Sequence, residues 1–119
     1  MKRLLLRDGQ SKRLVWGADG AGKFRGKEYF DSLALRDQAK FDPHFARLAE
    51  TGQIRNTEKF RQEADNLFVF KIFKHRLVCF FTGRDVVLIY GFMKKSDKGR
   101  RMTQNLKTAA RLRDEHLAS

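Results

Sequence analysis

The sequence predicts an α+β protein, with a small antiparallel sheet of about four strands backed by N-terminal helices, and with a C-terminal helix. Residues 67–93 form three apolar runs divided by short polar breaks, a pattern typical of consecutive hairpin strands. Residues 27–51 place large apolar side chains three and four positions apart, which indicates helix. Residues 100–117 repeat that spacing and predict the final helix.

The first half of the chain is expected to hold one strand and a helical region. Residues 1–11 are polar and are expected to be loosely ordered. Residues 12–17, KRLVWG, predict a strand, and the Gly-rich residues 18–26 predict a loop after it. Within the helical region at 27–51, Pro43 is expected to kink or restart the helix, because proline disrupts a helix interior.

The second half is expected to hold the rest of the sheet. Gly52 is a helix stop, and the polar residues 53–66 predict irregular chain. Three strands follow, broken at residues 74–75 and 82–85. The predicted order is one strand, two helical pieces, three strands and one helix, in a single domain that spans residues 1–119.

The charge of the chain indicates a polyanionic partner. It has 26 Lys and Arg residues against 14 Asp and Glu residues, a net charge of +12, which suits nucleic acid or an acidic protein. No apolar run reaches the roughly 18 residues that a membrane span needs. Residues 1–13 are too weakly apolar for a signal peptide, so a cytoplasmic location is expected. Cys79, the single cysteine, is expected to fill the core.

Residues 17–23, GADGAGK, match the start of a phosphate-binding P-loop and follow a predicted strand. The next residue is Phe24, where the motif needs Ser or Thr to hold magnesium. No apolar run ending in Asp follows to complete a metal site. A loop that joins strand and helix is therefore the favoured interpretation, and an NTPase is disfavoured.

Two cations lie within the apolar strands, Lys71 in one and Arg76 at the start of the next. If Ile72 pairs with Leu77 across the first hairpin, alternation places Lys71 and Arg76 on one face of the sheet. Cations in a sheet are costly to bury, so they point to a site that handles phosphate.

The second hairpin extends this prediction to a third cation. A turn at residues 83–84 is expected to pair Val78 with Ile89. Gly91 then falls opposite Arg76 and leaves room beside it, and Lys95 extends the same face. Three converging cations could bind a phosphate and stabilise charge that develops on it. The alternative is that each cation extends to solvent from a half-exposed sheet.

The same segment resembles a known family. The elements FVFKI at 68–72, R-x-x-CFF at 76–81 and GF-x-KK at 91–95 are similar to the C-terminal half of RelE/HigB-type toxins of bacterial toxin–antitoxin modules, in the phage-derived HigB-like branch. The resemblance covers roughly residues 25–113 and includes RLAETG at 47–52.

The resemblance implies a RelE-like fold and an enzyme, a ribosome-dependent mRNA endoribonuclease inhibited by a cognate antitoxin of helix-turn-helix type. It implies attack of a ribose 2′-hydroxyl on the neighbouring phosphate, with no metal and no cofactor. The products are a 2′,3′-cyclic phosphate and a 5′-hydroxyl end. The family's catalytic cations match Lys71, Arg76 and Lys95 in this sequence.

The resemblance also suggests roles for the cations. Lys71 is the candidate for activating the 2′-hydroxyl, Arg76 for stabilising the phosphorane, and Lys95 for neutralising the leaving 5′-oxygen. Further RNA contacts are expected from six neighbouring residues: Lys74, His75, Lys94, Lys98, Arg100 and Arg101. A histidine in a surface turn is more often idle than functional, and that alternative stays open for His75.

Two departures from the family pattern keep other functions open. Val69 stands where related toxins often have Glu, and no Tyr or His lies between Ser96 and Arg113. One alternative is a toxin of the same fold that binds DNA gyrase, although that branch lacks the catalytic cations. The other is a non-catalytic RNA-binding or phage accessory protein.

Overall fold

The computed structural model describes residues 1–95 and 99–119, except for the side chains of residues 99 and 100. Its described part is an α+β structure with a C-terminal helix, as predicted. The elements in chain order are β1 Arg3–Asp8, β2 Arg13–Gly17, α1 Arg25–Asp31, α2 Leu35–Thr51, β3 Phe60–Ala64, β4 Leu67–Ile72, β5 His75–Thr82, β6 Asp85–Met93 and α3 Gly99–Ala118.

The strands form one mixed sheet in the order β1-β2-β6-β5-β4-β3. In the described residues this sheet has six strands, where about four antiparallel ones were predicted. β2 and β6 are parallel, and the other neighbours are antiparallel. The parallel pair is possible because α1, α2 and three strands lie between β2 and β6 in the chain, enough for a crossover.

The two strands that the sequence did not predict lie at the sheet edges. Residues 1–11, expected to be loosely ordered, contain β1, and residues 53–66, expected to be irregular, contain β3. An edge strand pairs on one side only and is half solvated, so its residues need little apolar character. Fully buried positions are accordingly few, none in β1 and only Phe60 in β3, which is why hydrophobic alternation did not predict these strands.

The helical region divides at residues 32–34 and not at Pro43, so that prediction is wrong. Gln38 donates a hydrogen bond from its side chain to the carbonyl oxygen of Leu33 (3.1 Å), which supports the break between α1 and α2. Pro43 lies inside α2 and is exposed. The carbonyl that its missing N–H leaves unpaired belongs to Ala39, which is also exposed and can be hydrated. Gly52 ends α2 with a positive φ of 79°, as predicted.

Helices cover both faces of the sheet. The face under α1 and α2 is mainly aromatic, and the face under α3 is mainly aliphatic. Cys79 is completely buried under α1 and α2, and burial raises the pKa of its thiol, which confirms its predicted place in the core. Large buried side chains of the first face include Trp16, Phe30, Phe41, Phe45, Phe60 and Phe70, and those of the second include Leu67, Val69, Val78, Phe80, Ile89 and Leu112.

The segment that resembles a P-loop is the connection between β2 and α1, as expected. The carboxylate of Asp19 accepts hydrogen bonds from the N–H groups of Ala21 and Lys23, both at 2.9 Å, and pairs with Arg25 at 3.2 Å. Burial raises the pKa of Asp19, but these contacts outweigh it and the net shift is downward. Since an internal carboxylate occupies these N–H groups, the loop is not arranged to cradle a phosphate.

A buried carboxylate joins the two ends of the chain to the sheet. Asp85 accepts hydrogen bonds from Arg3 (2.7 Å) and Arg13 (2.8 Å), which outweigh the effect of burial and lower its pKa. Arg3 also donates from Nε to Nε2 of His116 in α3, at 3.0 Å. Because Nε2 accepts, the imidazole is neutral and its Nδ1–H donates to the carbonyl of Ala18 at 2.8 Å.

No helix in the described parts of the chain is long and apolar enough to cross a membrane.

His116 is expected to make stability depend on pH. Burial is the main cause that lowers its pKa, and the charge of Arg3 adds to it. The unfolded chain gains this proton near pH 6.5, while the folded chain resists it. The free energy of unfolding should therefore fall as the pH drops below about 6.5 toward the folded pKa. Urea unfolding at a series of pH values measures the slope, and His116→Asn should reduce it.

His44 provides the control, because burial and Lys59 lower its pKa as well. His44→Gln should leave unchanged the part of the pH dependence of the unfolding free energy that His116 causes. An unchanged slope in His116→Asn would assign the pH dependence to other groups.

Candidate functional site

The site is built at the end of the β4–β5 hairpin. Ile72 pairs with His75, so the turn consists of Phe73 and Lys74, one residue earlier than predicted. This register places Lys71 directly opposite Arg76. The predicted register pairs Ile72 with Leu77, two positions away from its observed partner His75. A shift of two positions keeps each side chain on its predicted face of the sheet. The prediction that these two cations share a face is therefore confirmed.

A β-bulge in the next strand pair changes what lies beside Arg76. Val78 pairs with Tyr90 while Cys79 pairs with Leu88, so Ile89 is an extra residue in β6. An inserted residue reverses the alternation of all residues that follow it in the strand. The predicted pairing of Val78 with Ile89 is therefore wrong.

Beyond the bulge, Gly91 pairs with Leu77, and Phe92 is the residue opposite Arg76. The prediction that Gly91 leaves room beside Arg76 is wrong for this reason. Because Phe92 is now the residue opposite Arg76, strand alternation no longer predicts that Lys95 shares a face with Arg76. Lys95 follows the end of β6 and is exposed. Its catalytic role stays a prediction.

Arg76 is buried, with 8% of its surface exposed. Its Nη1 donates to the carbonyl oxygens of Phe73 (2.9 Å) and His75 (3.0 Å), and among the described residues its Nε has no hydrogen-bond partner. Burial lowers the pKa of Arg76, and the charges of Glu63 and Tyr29 act in the opposite direction. Arginine still remains protonated, so the site keeps a largely desolvated cation with an unused donor.

Lys71 lies beside Arg76 on the same face and is held by a carboxylate. Its Nζ is 2.9 Å from Oε1 of Glu63, and the same oxygen is 3.1 Å from Nε of Arg61. The side chain of Glu63 is only 13% exposed, and that of Lys71 is 20% exposed. Glu63 lies in β3, one of the two edge strands that the sequence did not predict. The site therefore pairs Lys71 with a carboxylate that no sequence pattern predicted there, and the charge of that carboxylate also acts on Arg76.

The turn exposes an aromatic ring next to these cations. Phe73 is 66% exposed and has a positive φ of 54°. A non-glycine residue pays a conformational cost of about 1 kcal/mol or more in that region. The carbonyl of Phe73 is fixed by Arg76, which keeps the turn in this conformation. An exposed ring held beside Lys74 is the arrangement on which a nucleic-acid base stacks.

The prediction that His75 lies in a surface turn is wrong. His75 is buried at the start of β5. Its Nδ1 is 2.7 Å from the hydroxyl of Tyr29 in α1, and its Nε2 is 3.3 Å from Oδ2 of Asp37 in α2. Three elements thus converge on one imidazole. Sequence spacing could not predict the contact, since Tyr29 and Asp37 are 46 and 38 residues away.

Gly91 makes this contact possible. A Cβ at Gly91 would lie 2.6–2.7 Å from the ring atoms and Cβ of Tyr29, closer than real atoms approach. Gly26 in α1 faces the backbone of Tyr90 in a similar way, at 3.1 Å. These two glycines let α1 lie close to β6, so that Tyr29 reaches His75.

Two of the other predicted RNA contacts, Lys74 and Lys94, lie at this end of the sheet. Lys74 is exposed in the turn, and the backbone N–H of Lys94 donates to its carbonyl at 2.7 Å. Arg101 is exposed in the first turn of α3. Lys98 and the side chain of Arg100 lie outside the described residues. The structure thus brings Lys74 and Lys94 close to the hairpin cations.

No protein-family model matches the sequence, and no curated protein matches it.

Gly91→Ala should destabilise the protein by about 1–3 kcal/mol, because the added methyl group overlaps Tyr29 and α1 must move away from β6. Urea unfolding measures this change. Gly20→Ala is the matched control, because its added methyl group meets the movable carboxylate of Glu115 at 3.2 Å. Its effect should stay within about 0.5 kcal/mol. Equal unfolding free energies for the two variants would contradict the close packing of α1.

Proposed function

We propose that this protein is a metal-independent endoribonuclease of the RelE/HigB toxin type, which cleaves mRNA on the ribosome in the cytoplasm. The observation that carries the proposal is the direct pairing of Lys71 with Arg76 at the end of the β4–β5 hairpin. Lys71, Arg61 and Arg76 all interact with the single carboxylate of Glu63, so the pair keeps an excess of positive charge that a bound anion would balance. We further propose that the mixed sheet and its helices are a version of the RelE-like fold.

Phosphate is the anion that fits this pair best. Arg76 is fixed by two backbone carbonyls, so little reorganisation is needed when charge develops on a bound phosphorane. Lys71 is partly exposed, and a phosphate can replace Glu63 as its counterion.

RNA, and single-stranded RNA in particular, is favoured by the surroundings of the pair. Phe73 offers an exposed ring for a base, and Lys74 lies next to it. The net charge of +12 adds long-range attraction to any polyanion. Binding should therefore weaken as the salt concentration rises.

The proposed reaction is an internal transfer. The ribose 2′-oxygen forms a bond to phosphorus, the bond from phosphorus to the 5′-oxygen breaks, and the products are a 2′,3′-cyclic phosphate and a 5′-hydroxyl end. Arg76 stabilises the phosphorane, Lys71 orients and polarises the 2′-hydroxyl, and Lys95 neutralises the leaving 5′-oxygen.

A cognate antitoxin of helix-turn-helix type completes the proposal. Acidic segments of such a partner would be attracted by the basic surface of the toxin.

The decisive variant is Lys71→Ala combined with Arg76→Ala. Wild-type protein should arrest growth when expressed, and primer extension on a translated reporter mRNA should show cuts within codons. The double variant should lose at least about 100-fold in cleavage, since two transition-state cations are removed. Circular dichroism and thermal unfolding show whether it remains folded.

Arg47→Ala combined with Arg55→Ala is the matched control, because it removes the same charge from exposed positions elsewhere. It should remain toxic. A folded Lys71/Arg76 double variant that cuts mRNA as fast as wild type would overturn the site. Wild-type protein that binds RNA but leaves it intact would favour the non-catalytic alternative.

A further inference from the structure

We propose that Tyr29, His75 and Asp37 form a proton relay that removes the 2′-hydroxyl proton during RNA cleavage, with Tyr29 as the group that contacts the substrate. The inference rests on the proposed function and supplies what that function lacks, a group that accepts a proton. Lys71 is paired with Glu63, and Arg76 is always charged, so neither cation is arranged as a base.

The hydrogen bonds give the relay a direction. A carboxylate only accepts, so Nε2 of His75 carries the proton that faces Asp37. In the neutral imidazole, Nδ1 is then the acceptor, and the hydroxyl of Tyr29 donates to it at 2.7 Å. Asp37 acts as a positioning residue, since it fixes the tautomer and would stabilise the imidazolium. This is the arrangement expected of a base activated by a second group.

Tyr29 is suited to be the outer member of the relay. Its side chain is partly exposed, whereas His75 is buried. Burial raises the pKa of Tyr29, the charge of Arg76 lowers it and that of Asp37 raises it, with a net upward shift. Tyr29 therefore stays protonated and donates to His75. Tyr29 contacts His75, and Nη1 of Arg76 donates to the backbone carbonyl oxygen of His75 at 3.0 Å, so the relay and the cation approach the same end of the sheet from its two faces.

The groups around His75 leave few other routes for the proton. α1 contributes Tyr29, α2 contributes Asp37, and the next residue of β5 is Arg76. Across the sheet, β4 and β6 place the apolar residues Ile72 and Met93 opposite His75. Lys74 and Lys94 are the nearest further cations along the backbone.

The proton balance of the step is complete. The 2′-hydroxyl proton moves to the oxygen of Tyr29 as the Tyr29 proton moves to Nδ1 of His75. The 2′-oxygen bonds to phosphorus, and the bond to the 5′-oxygen breaks. The 5′-oxygen takes a proton from Lys95 or from water. The imidazolium then returns its proton to solvent through Tyr29, and Lys95, where it was the donor, takes a proton from solvent, which restores the enzyme.

The test is single-turnover cleavage of a defined mRNA on programmed ribosomes, measured beside RNA binding. Tyr29→Phe keeps the ring against Gly91 but removes the hydroxyl, and it should slow cleavage by about 100-fold or more with RNA binding unchanged. Tyr90→Phe is the matched control, because it removes a hydroxyl that donates to Asn105 on the α3 side at 3.3 Å. It should cleave like wild type.

His75→Asn separates proton transfer from positioning. Asparagine can accept the Tyr29 hydrogen bond at the place of Nδ1 but cannot take up its proton. The relay predicts a loss of cleavage as large as that of Tyr29→Phe, with RNA binding unchanged. Cleavage by His75→Asn at the wild-type rate would overturn the relay.

The remaining outcomes are also distinguishable. If Tyr29→Phe cleaves normally while the Lys71/Arg76 double variant does not, the relay is wrong and the proposed function stands. If wild type does not cleave, both fall together. A measurement without substrate adds to these: ¹⁵N NMR of the imidazole should show Nε2 protonated and Nδ1 bare in the neutral state. A proton on Nδ1 in that state would overturn the direction of the relay.

Discussion

The central hairpin β5–β6 is apolar on both of its faces, and the rest of the structure depends on this constraint. Side chains buried on both sides require helices on both sides, so α1 and α2 cover one face and α3 covers the other. At the end of the β4–β5 hairpin, Lys71 keeps partial exposure beside the buried Arg76. The position of the candidate site is therefore a consequence of how the core is covered.

Close approach of α1 to the sheet is the second requirement. Gly26 and Gly91 remove the side chains that would separate α1 from β6. The β-bulge at Ile89 is what turns Gly91 toward α1, since without it Gly91 would lie opposite Arg76. A local irregularity in β6 thus determines that Tyr29 can contact His75, and a different residue at either glycine would separate them.

Sequence reasoning was successful where burial produces a pattern and failed where it does not. The three central strands and the shared face of Lys71 and Arg76 follow from alternation of buried residues. The edge strands β1 and β3 are too exposed to produce such a pattern, and a single extra residue such as Ile89 leaves no signal in composition. Contacts of His75 depend on helix docking, so only tertiary structure could bring Tyr29 and Asp37 to it.

Arg76 connects two polar clusters that the sheet would otherwise keep apart. On the α3 face it lies beside Lys71, which is paired with Glu63, and through the backbone of His75 it is tied to the network on the α1–α2 face. Each cluster contains one carboxylate: Glu63 balances cations that would otherwise repel each other, and Asp37 accepts a hydrogen bond from His75. A phosphate bound as proposed would take over that balancing role from Glu63, while Asp37 would be left to stabilise charge on His75. The two carboxylates would then have different roles in one reaction, because the substrate displaces Glu63 from Lys71 whereas Asp37 stabilises the proton acceptor His75.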